Sequence, residues 1–255
     1  VSDRSARYPD LADRSVLVSG GATGIGAALV RAFAAQGARV GFVDIDADAG
    51  AALATELASG PGSVTFAPCD LTDISAYQTA MSEIANLNGP VTVLANNAAN
   101  DQRHSLDGLT PEDFDAGMAV NLRHALFAVQ AVAPGMRRAG GGSIINFGSV
   151  GWMMAAGGYP VYAAAKAAVH GMTRGLAREL GPDRIRVNTL VPGWVMTEKQ
   201  LRLWVDEAAK EKIRTSQCLP DPVLPEDIAQ MALFLGSDVS ARCTAQNYIV
   251  DGGWV

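Results

Sequence analysis

Cysteine and histidine are scarce, at three each in 255 residues. Cys69, Cys218 and Cys243 stand far apart, and so do His104, His124 and His170. That scatter excludes a disulfide framework and zinc-type ligand spacing, so no metal is expected. Unpartnered thiols fit a reducing cytoplasm. Basic residues are outnumbered by acidic ones, giving a net charge of −6 and a pI near 5.0. No basic stripe or run of like charge points to nucleic acid. No stretch approaches the ~18 uninterrupted apolar residues of a membrane span. Residues 1–13 carry Asp3, Arg4, Arg7, Asp10 and Asp13 and do not read as a signal peptide. Internal repeats, low-complexity tracts and linkers are also missing, so 1–255 reads as a single domain.

What the chain does have is alternation. Short apolar runs over 15–19, 39–43, 63–67, 91–95, 143–147, 185–190 and 247–250 read as strands. Several are continuous Val/Ile/Leu runs, as expected of strands buried on both faces. Helical patterns lie between them, over 24–36, 47–58, 73–86, 111–138, 160–180 and 225–235. Thr110-Pro111-Glu112-Asp113 combines an N-cap, a first-turn proline and two acids. This spacing predicts βαβ units. The expected fold is α/β, a single-domain Rossmann-type doubly wound sheet of about seven parallel strands with helices on both faces. The least regular stretch, 194–224, is expected to be a substrate lid.

The first strand runs into Gly20-Gly21-Ala22-Thr23-Gly24-Ile25-Gly26 and then an amphipathic helix. Glycines there let backbone turn tightly and approach a pyrophosphate, with a helix N-terminus offering free N–H groups. A Gly-rich turn serving only packing is the alternative. Asp44 ends the second strand, where a carboxylate accepts from an adenosine ribose and repels a 2′-phosphate. No Arg or Lys lies in the glycine loop or just after Asp44, so NAD is expected over NADP. Helix capping would be the structural role of Asp44. Asp70 reads equally as an adenine contact or as a turn residue. Asn97 lies among small residues at the fourth strand's carboxyl end, where open α/β sheets bind ligands.

Tyr162 and Lys166 are four apart on a helix and project to one side. Tyr159 precedes Pro160, the expected first helical residue, and is the poorer candidate base. A phenol of pKa ~10 needs positive charge nearby to ionise at neutral pH, roughly 3–4 kcal/mol of differential stabilisation. Lys166 and a cationic nicotinamide are expected to supply it. Ser149, at the carboxyl end of the fifth strand, is placed to hold the substrate oxygen. Asn121, mid-helix, is placed to hold a water that relays protons from Lys166.

Together "SGGATGIG", "VDID", "CDLTD", "NNAA", "VNLRHALF", "INFGS", "YAAAK" and "RVNTLVPGWVMT" resemble the short-chain dehydrogenase/reductase family over essentially the whole chain. The resemblance implies a catalytic tetrad of Asn121, Ser149, Tyr162 and Lys166. It implies dinucleotide contacts from Gly20, Gly24, Ile25, Gly26, Asp44, Asp70, Leu71, Asn97, Lys166, Pro192, Val195 and Thr197. It also implies a homotetramer. Ala99 stands where the family often has glycine, and Ser19 where it has threonine.

A narrower resemblance, carried by "NNAANDQRH", "MAVNLRHALFA", "PGWVMTEKQ" and "DGGWV", is to bacterial NAD-dependent aldose 1-dehydrogenases. These oxidise C1 of a pyranose to a lactone. A sugar needs several hydrogen-bond partners and an apolar platform. Candidate substrate residues are Asn100, Ser149, Trp152, Tyr159, Tyr162 and Trp194. Asp101, Gln102, Arg103, His104 and Trp204 stand nearby, and surface polarity or lid packing explains these equally well. A polyol dehydrogenase uses the same tetrad. Asp44 opposes an NADPH-dependent ketoacyl or carbonyl reductase, and the presence of Tyr162 and Lys166 opposes a silent dinucleotide-binding protein.

Overall fold

The computed structural model of the protein describes residues 6–255. Residues 1–5, part of the stretch read above for a signal peptide, lie outside the described residues. The strands are β1 (Ser15–Ser19), β2 (Arg39–Asp44), β3 (Ser63–Pro68), β4 (Val93–Asn96), β5 (Gly142–Phe147), β6 (Ile185–Pro192) and β7 (Asn247–Val250). All neighbouring pairs are parallel, in the order β3-β2-β1-β4-β5-β6-β7. The order reverses between β1 and β4, and the crevice outside that point is where such sheets bind ligands.

Helices cover both faces. On one, α1 (Gly24–Ala35) and α9 (Pro225–Gly236) bury Leu29, Val30, Phe33, Ile228 and Leu233 against Val16, Val18 and Val93. On the other, α3 (Ile74–Asn88) and α5 (His124–Arg138) bury Tyr77, Ile84, Val132 and Met136 against Leu17, Leu94 and Ile144. Each such aliphatic side chain contributes about 1.5–3 kcal/mol when fully buried. α2 (Ala47–Glu56) covers β3, and α6 (Pro160–Leu180) lies along β6. The alanines of α6 divide: Ala165 is buried towards the sheet, whereas Ala164 and Ala168 face outward.

Strand ends and most helix ends fall within two residues of the sequence expectation. Two elements differ. The expected single helix over 111–138 is α4 (Pro111–Met118), then a π turn over Ala119–Arg123, then α5. The Asn121 amide donates to the Gly117 carbonyl at 2.9 Å, taking an acceptor that the helical ladder would otherwise use. The irregular stretch 194–224 carries two short helices, α7 (Glu198–Leu203) and α8 (Glu207–Ser216), capped by Thr197 and Asp206. Among the described residues no helix is long and apolar enough to cross a membrane.

Candidate active site

The glycine loop sits at the carboxyl end of β1. Gly20 and Gly24 have φ of +65° and +54°, a region that costs other residues. A Cβ on Gly26 would collide with the Gly20 carbonyl oxygen, and one on Gly20 would meet Ala98 Cα at 2.8 Å. Asn97 locks the loop by donating to the Gly20 carbonyl at 2.8 Å and the Ser19 carbonyl at 3.1 Å. The Thr23 hydroxyl makes no capping bond, so the first-turn N–H groups of α1 have no partner from their cap. A backbone cradle without side chains, ending at uncapped helical N–H groups, fits a dinucleotide pyrophosphate.

The Asp44 carboxylate borders this cradle. It accepts from Ala22 N–H at 2.9 Å and from Asp46 N–H at 3.0 Å. The cap of α2 is Asp46, which accepts from Ala49 N–H at 3.0 Å, so Asp44 does not hold that role. Asp70 bonds within its own turn, accepting from Thr72 N–H at 2.9 Å and the Thr72 hydroxyl at 2.7 Å. Leu71 is buried in the core.

A cleft of about 430 Å³ opens at the carboxyl ends of β4, β5 and β6. Ser149, Tyr162 and Lys166 line it together. Ser149 lies two residues beyond β5 rather than in it, and its hydroxyl oxygen accepts from Gly151 N–H at 3.0 Å. One lone pair is thus occupied, and the O–H proton is left for the Tyr162 oxygen or for a ligand in its place. Lys166 is buried and donates to the Phe147 carbonyl at 2.8 Å, which ties α6 to the end of β5. Burial lowers its ammonium to about 8. Burial pushes the Tyr162 phenol up to about 12, with the Ser149 hydroxyl opposing. The ammonium stands 5.8 Å from the Tyr162 ring centre. In the protein without its dinucleotide, desolvation is the largest cause of that shift, with Asp101 and Tyr159 adding to it and Arg103 opposing.

Asn121 stands behind this group. Its amide oxygen accepts from Asn100 N–H at 2.9 Å, and its nitrogen donates to the Asn100 carbonyl at 3.1 Å as well as to Gly117. These bonds pin the loop after β4 and open the π turn, and they leave one lone pair of the amide oxygen.

The far end of the cleft is closed by α7. Asp101 accepts from Lys199 at 2.7 Å and from Gln200 at 2.8 Å, and the Trp194 indole N–H donates to Gln200 at 3.0 Å. Burial works to raise the Asp101 carboxyl, but bonds and charge from Lys199, with Gln200, hold it below its ordinary value. Arg103 stacks 4.3 Å from the Tyr159 ring centre and 5.1 Å from that of Trp204. Tyr159 in turn meets Tyr162 edge-on at 5.4 Å.

A family model described as enoyl-(acyl carrier protein) reductase matches residues 20–255. A Rhizobium meliloti protein named "Probable galactose dehydrogenase GalD" is 48% identical over 250 residues, covering 98% of each chain. A Caulobacter vibrioides D-xylose 1-dehydrogenase is 46% identical over 250 residues, 98% of this chain and 99% of its own. A mutant Serratia marcescens short-chain dehydrogenase/reductase superposes with a TM-score of 0.89 at 33% identity, covering 96% of this chain and 99% of its own. The chain belongs to the short-chain dehydrogenase/reductase family. It is an oxidoreductase, and the family uses nicotinamide dinucleotides. A blue fluorescent protein from a metagenomic library, solved with NADPH, matches at a TM-score of 0.89 and 34% identity, covering 96% of this chain and 99% of its own.

In this short-chain dehydrogenase/reductase the fold gathers Ile25, Asn97, Ser149, Tyr159, Tyr162, Lys166, Pro192, Trp194, Val195 and Thr197 on one cleft. Thr197 also packs where a Cβ on Gly24 would come within 3.2 Å of its methyl. Gly20, Gly24, Gly26, Asp44, Asp70 and Leu71 belong to the neighbouring edge over β1–β3, outside that cleft. Two expected substrate residues are not brought in. Trp152 donates its indole N–H to His170 at 3.3 Å and packs edge-on against that ring. Asn100 is an exposed residue whose backbone is held by Asn121, and its side chain accepts from Gln102 N–H at 3.2 Å. Met154, readable from the sequence as an apolar pocket wall, and Gln200, readable there as a substrate or a solvated residue, line the cleft, and so does Lys212, which the sequence reading missed. Nothing local marks Lys212 on α8.

Proposed function

We propose that this protein oxidises C1 of an aldose to the lactone with NAD. One observation carries the reading: Ser149, Tyr162 and Lys166 converge at one end of a cleft whose other end is lined by polar groups and aromatic rings from Asp101, Arg103, Tyr159 and Trp194. A hydroxyl-rich ligand needs both ends, and the cleft volume is in the range of small-molecule sites. The relatives named for galactose and xylose support the same substrate class.

When bound, the nicotinamide supplies the hydride acceptor and a positive charge beside the phenol. Tyr162 takes the proton of the anomeric hydroxyl. Ser149 donates its free O–H to the same oxygen and holds it towards Tyr162. Lys166, fixed by the Phe147 carbonyl, keeps its remaining N–H groups for a ribose hydroxyl and passes the proton onward. Asn121 keeps the loop after β4 in register with α6. Bringing oxygen, phenol and ring together accounts for much of the rate gain. The assigned contacts to the dinucleotide are the glycine loop, Ile25, Asp44, Asp70, Leu71, Asn97, Lys166, Pro192, Val195 and Thr197.

Asp44 favours NAD: a carboxylate at the end of β2 accepts from ribose hydroxyls and repels a 2′-phosphate, and Ile45 and Asp46 beside it offer no cation. The outward alanines of α6, with the exposed side chains of Phe114 on α4 and Leu126 on α5, suit a homotetramer. The three free thiols suit the cytoplasm. The segment 194–224 serves as the substrate lid. The deciding experiment is a panel of aldoses, polyols and secondary alcohols with NAD and NADP, followed by NADH or NADPH absorbance. Aldoses with NAD should give the highest kcat/KM; a polyol or secondary alcohol in that place refutes the reading.

A further inference from the structure

We propose that Arg103 determines substrate specificity by binding a pair of adjacent hydroxyls on the sugar, at the end remote from C1. The proposal rests on the aldose reading above. Arg103 lies in the connection between β4 and α4 and lines the same cleft as Ser149 and Tyr162. Its guanidinium is held against two rings from separate elements. Tyr159, at 4.3 Å, is the cap of α6, and Trp204, at 5.1 Å, closes α7. Stacking occupies the faces of the guanidinium and leaves its in-plane N–H groups available.

Those N–H groups have no other partner among the described residues. The ion pairs present do not include Arg103. The nearest acid in the cleft, Asp101, is taken by Lys199 and Gln200. An arginine that served only to staple the lid would be expected to pair with that carboxylate. Instead the fork of this exposed side chain is kept open beside the two rings.

Position then sets what the fork reads. Tyr159 separates Arg103 from Tyr162, its ring meeting the Tyr162 ring at 5.4 Å. A pyranose with its anomeric hydroxyl on Ser149 and Tyr162 extends its opposite edge past Tyr159 towards Arg103. Two parallel N–H groups match two neighbouring oxygens. In an aldose these are vicinal hydroxyls, and the configuration that places both in the guanidinium plane is the one selected.

The test is steady-state kinetics at saturating NAD for the wild type, Arg103→Met and Arg103→Lys. The substrates are D-galactose, D-xylose, their 3-deoxy and 4-deoxy analogues, and D-galacturonate. Arg103→Met should raise KM for the parent sugar about 10- to 100-fold while kcat changes by less than about threefold. On the analogue lacking the partner hydroxyl, the same substitution should cost less than about threefold. Arg103→Lys, which keeps charge without the fork, should fall between. Retained NADH binding, read by fluorescence, shows each variant to be folded. An equal loss on parent and deoxy sugars means a lid staple only and overturns the proposal. A wild-type preference for galacturonate that Arg103→Met removes overturns the diol assignment in favour of a carboxylate. Aldose turnover unchanged in Arg103→Met overturns the role of Arg103 alone, whereas a wild type that oxidises no aldose removes the substrate reading and this proposal together.

Discussion

Tyr162 and Lys166 are both driven by burial away from the charge states that catalysis uses. The phenol is pushed up to about 12 and the ammonium down to about 8. A charged Lys166 therefore destabilises the fold at neutral pH, where its unfolded counterpart, near 10.5, is fully protonated. Folding stability should rise with pH between about 8 and 10.5 as the unfolded chain holds the extra proton. Lys166→Met should raise Tm at pH 7 while removing turnover, the pattern expected where a site is kept at the expense of stability. Tyr162→Phe should lower kcat by about 10²–10⁴-fold with NADH binding retained, whereas Tyr159→Phe should leave kcat nearly intact. Asp44→Ala should reduce the NAD-over-NADP preference by about tenfold or more, measured as the ratio of kcat/KM values. The residue types of this group were legible because Tyr, Lys and Ser keep informative spacing to a helix and a strand end. The bond from Lys166 to the Phe147 carbonyl was not, since it joins positions nineteen apart through the packing of α6 on β5.

The π turn between α4 and α5 and the latch between α7 and the loop after β4 are the elements that aim the cleft. In the π turn, Asn121 takes the Gly117 carbonyl and both backbone groups of Asn100. Asn121→Leu should let the ladder close into regular helix and free the 99–104 loop. KM for sugar should then rise and amide exchange in that loop should speed up. In the latch, Asp101 joins Lys199 and Gln200. Asp101→Ala should raise KM several-fold with a smaller change in kcat, and a double-mutant cycle with Lys199 should give a coupling of about 0.5–3 kcal/mol. Periodicity predicts 111–138 as one helix because a single extra residue in a turn hardly disturbs the apolar spacing. The short helices α7 and α8 escaped it for another reason. Each buries almost nothing, with Ile213 their single buried residue, and their caps Thr197 and Asp206 were the remaining signal.

For the molecule as a whole, the acid side of the stability curve should be governed by His124. It is almost fully buried, and burial together with the charge of Lys166 lowers its pKa to about 3. Its Nδ1 has no hydrogen-bond partner. The unfolded chain binds this proton near 6.5 and the folded one only near 3, so stability is lost as pH falls through that window. The loss should reach several kcal/mol, and urea melts at pH 7, 5 and 4 would measure it. His124→Leu should flatten the slope; an unchanged slope would place the acid sensitivity elsewhere.

Local order already dictated the alternation of buried strands with capped helices, the glycine loop after β1, and the carboxylate at the end of β2, because each depends on neighbours within a few residues. Right-handed parallel crossovers then leave little choice but a doubly wound sheet with its ligands at the carboxyl ends. Long-range packing decided the rest. It turned Trp152 onto His170, committed Asn121 to the chain around Asn100, and set Arg103 between two rings that lie fifty-six and a hundred and one residues further along. It also set the direction of the Tyr162 shift. Desolvation and contact depend on what surrounds a group in space, and no spacing along the chain encodes that directly.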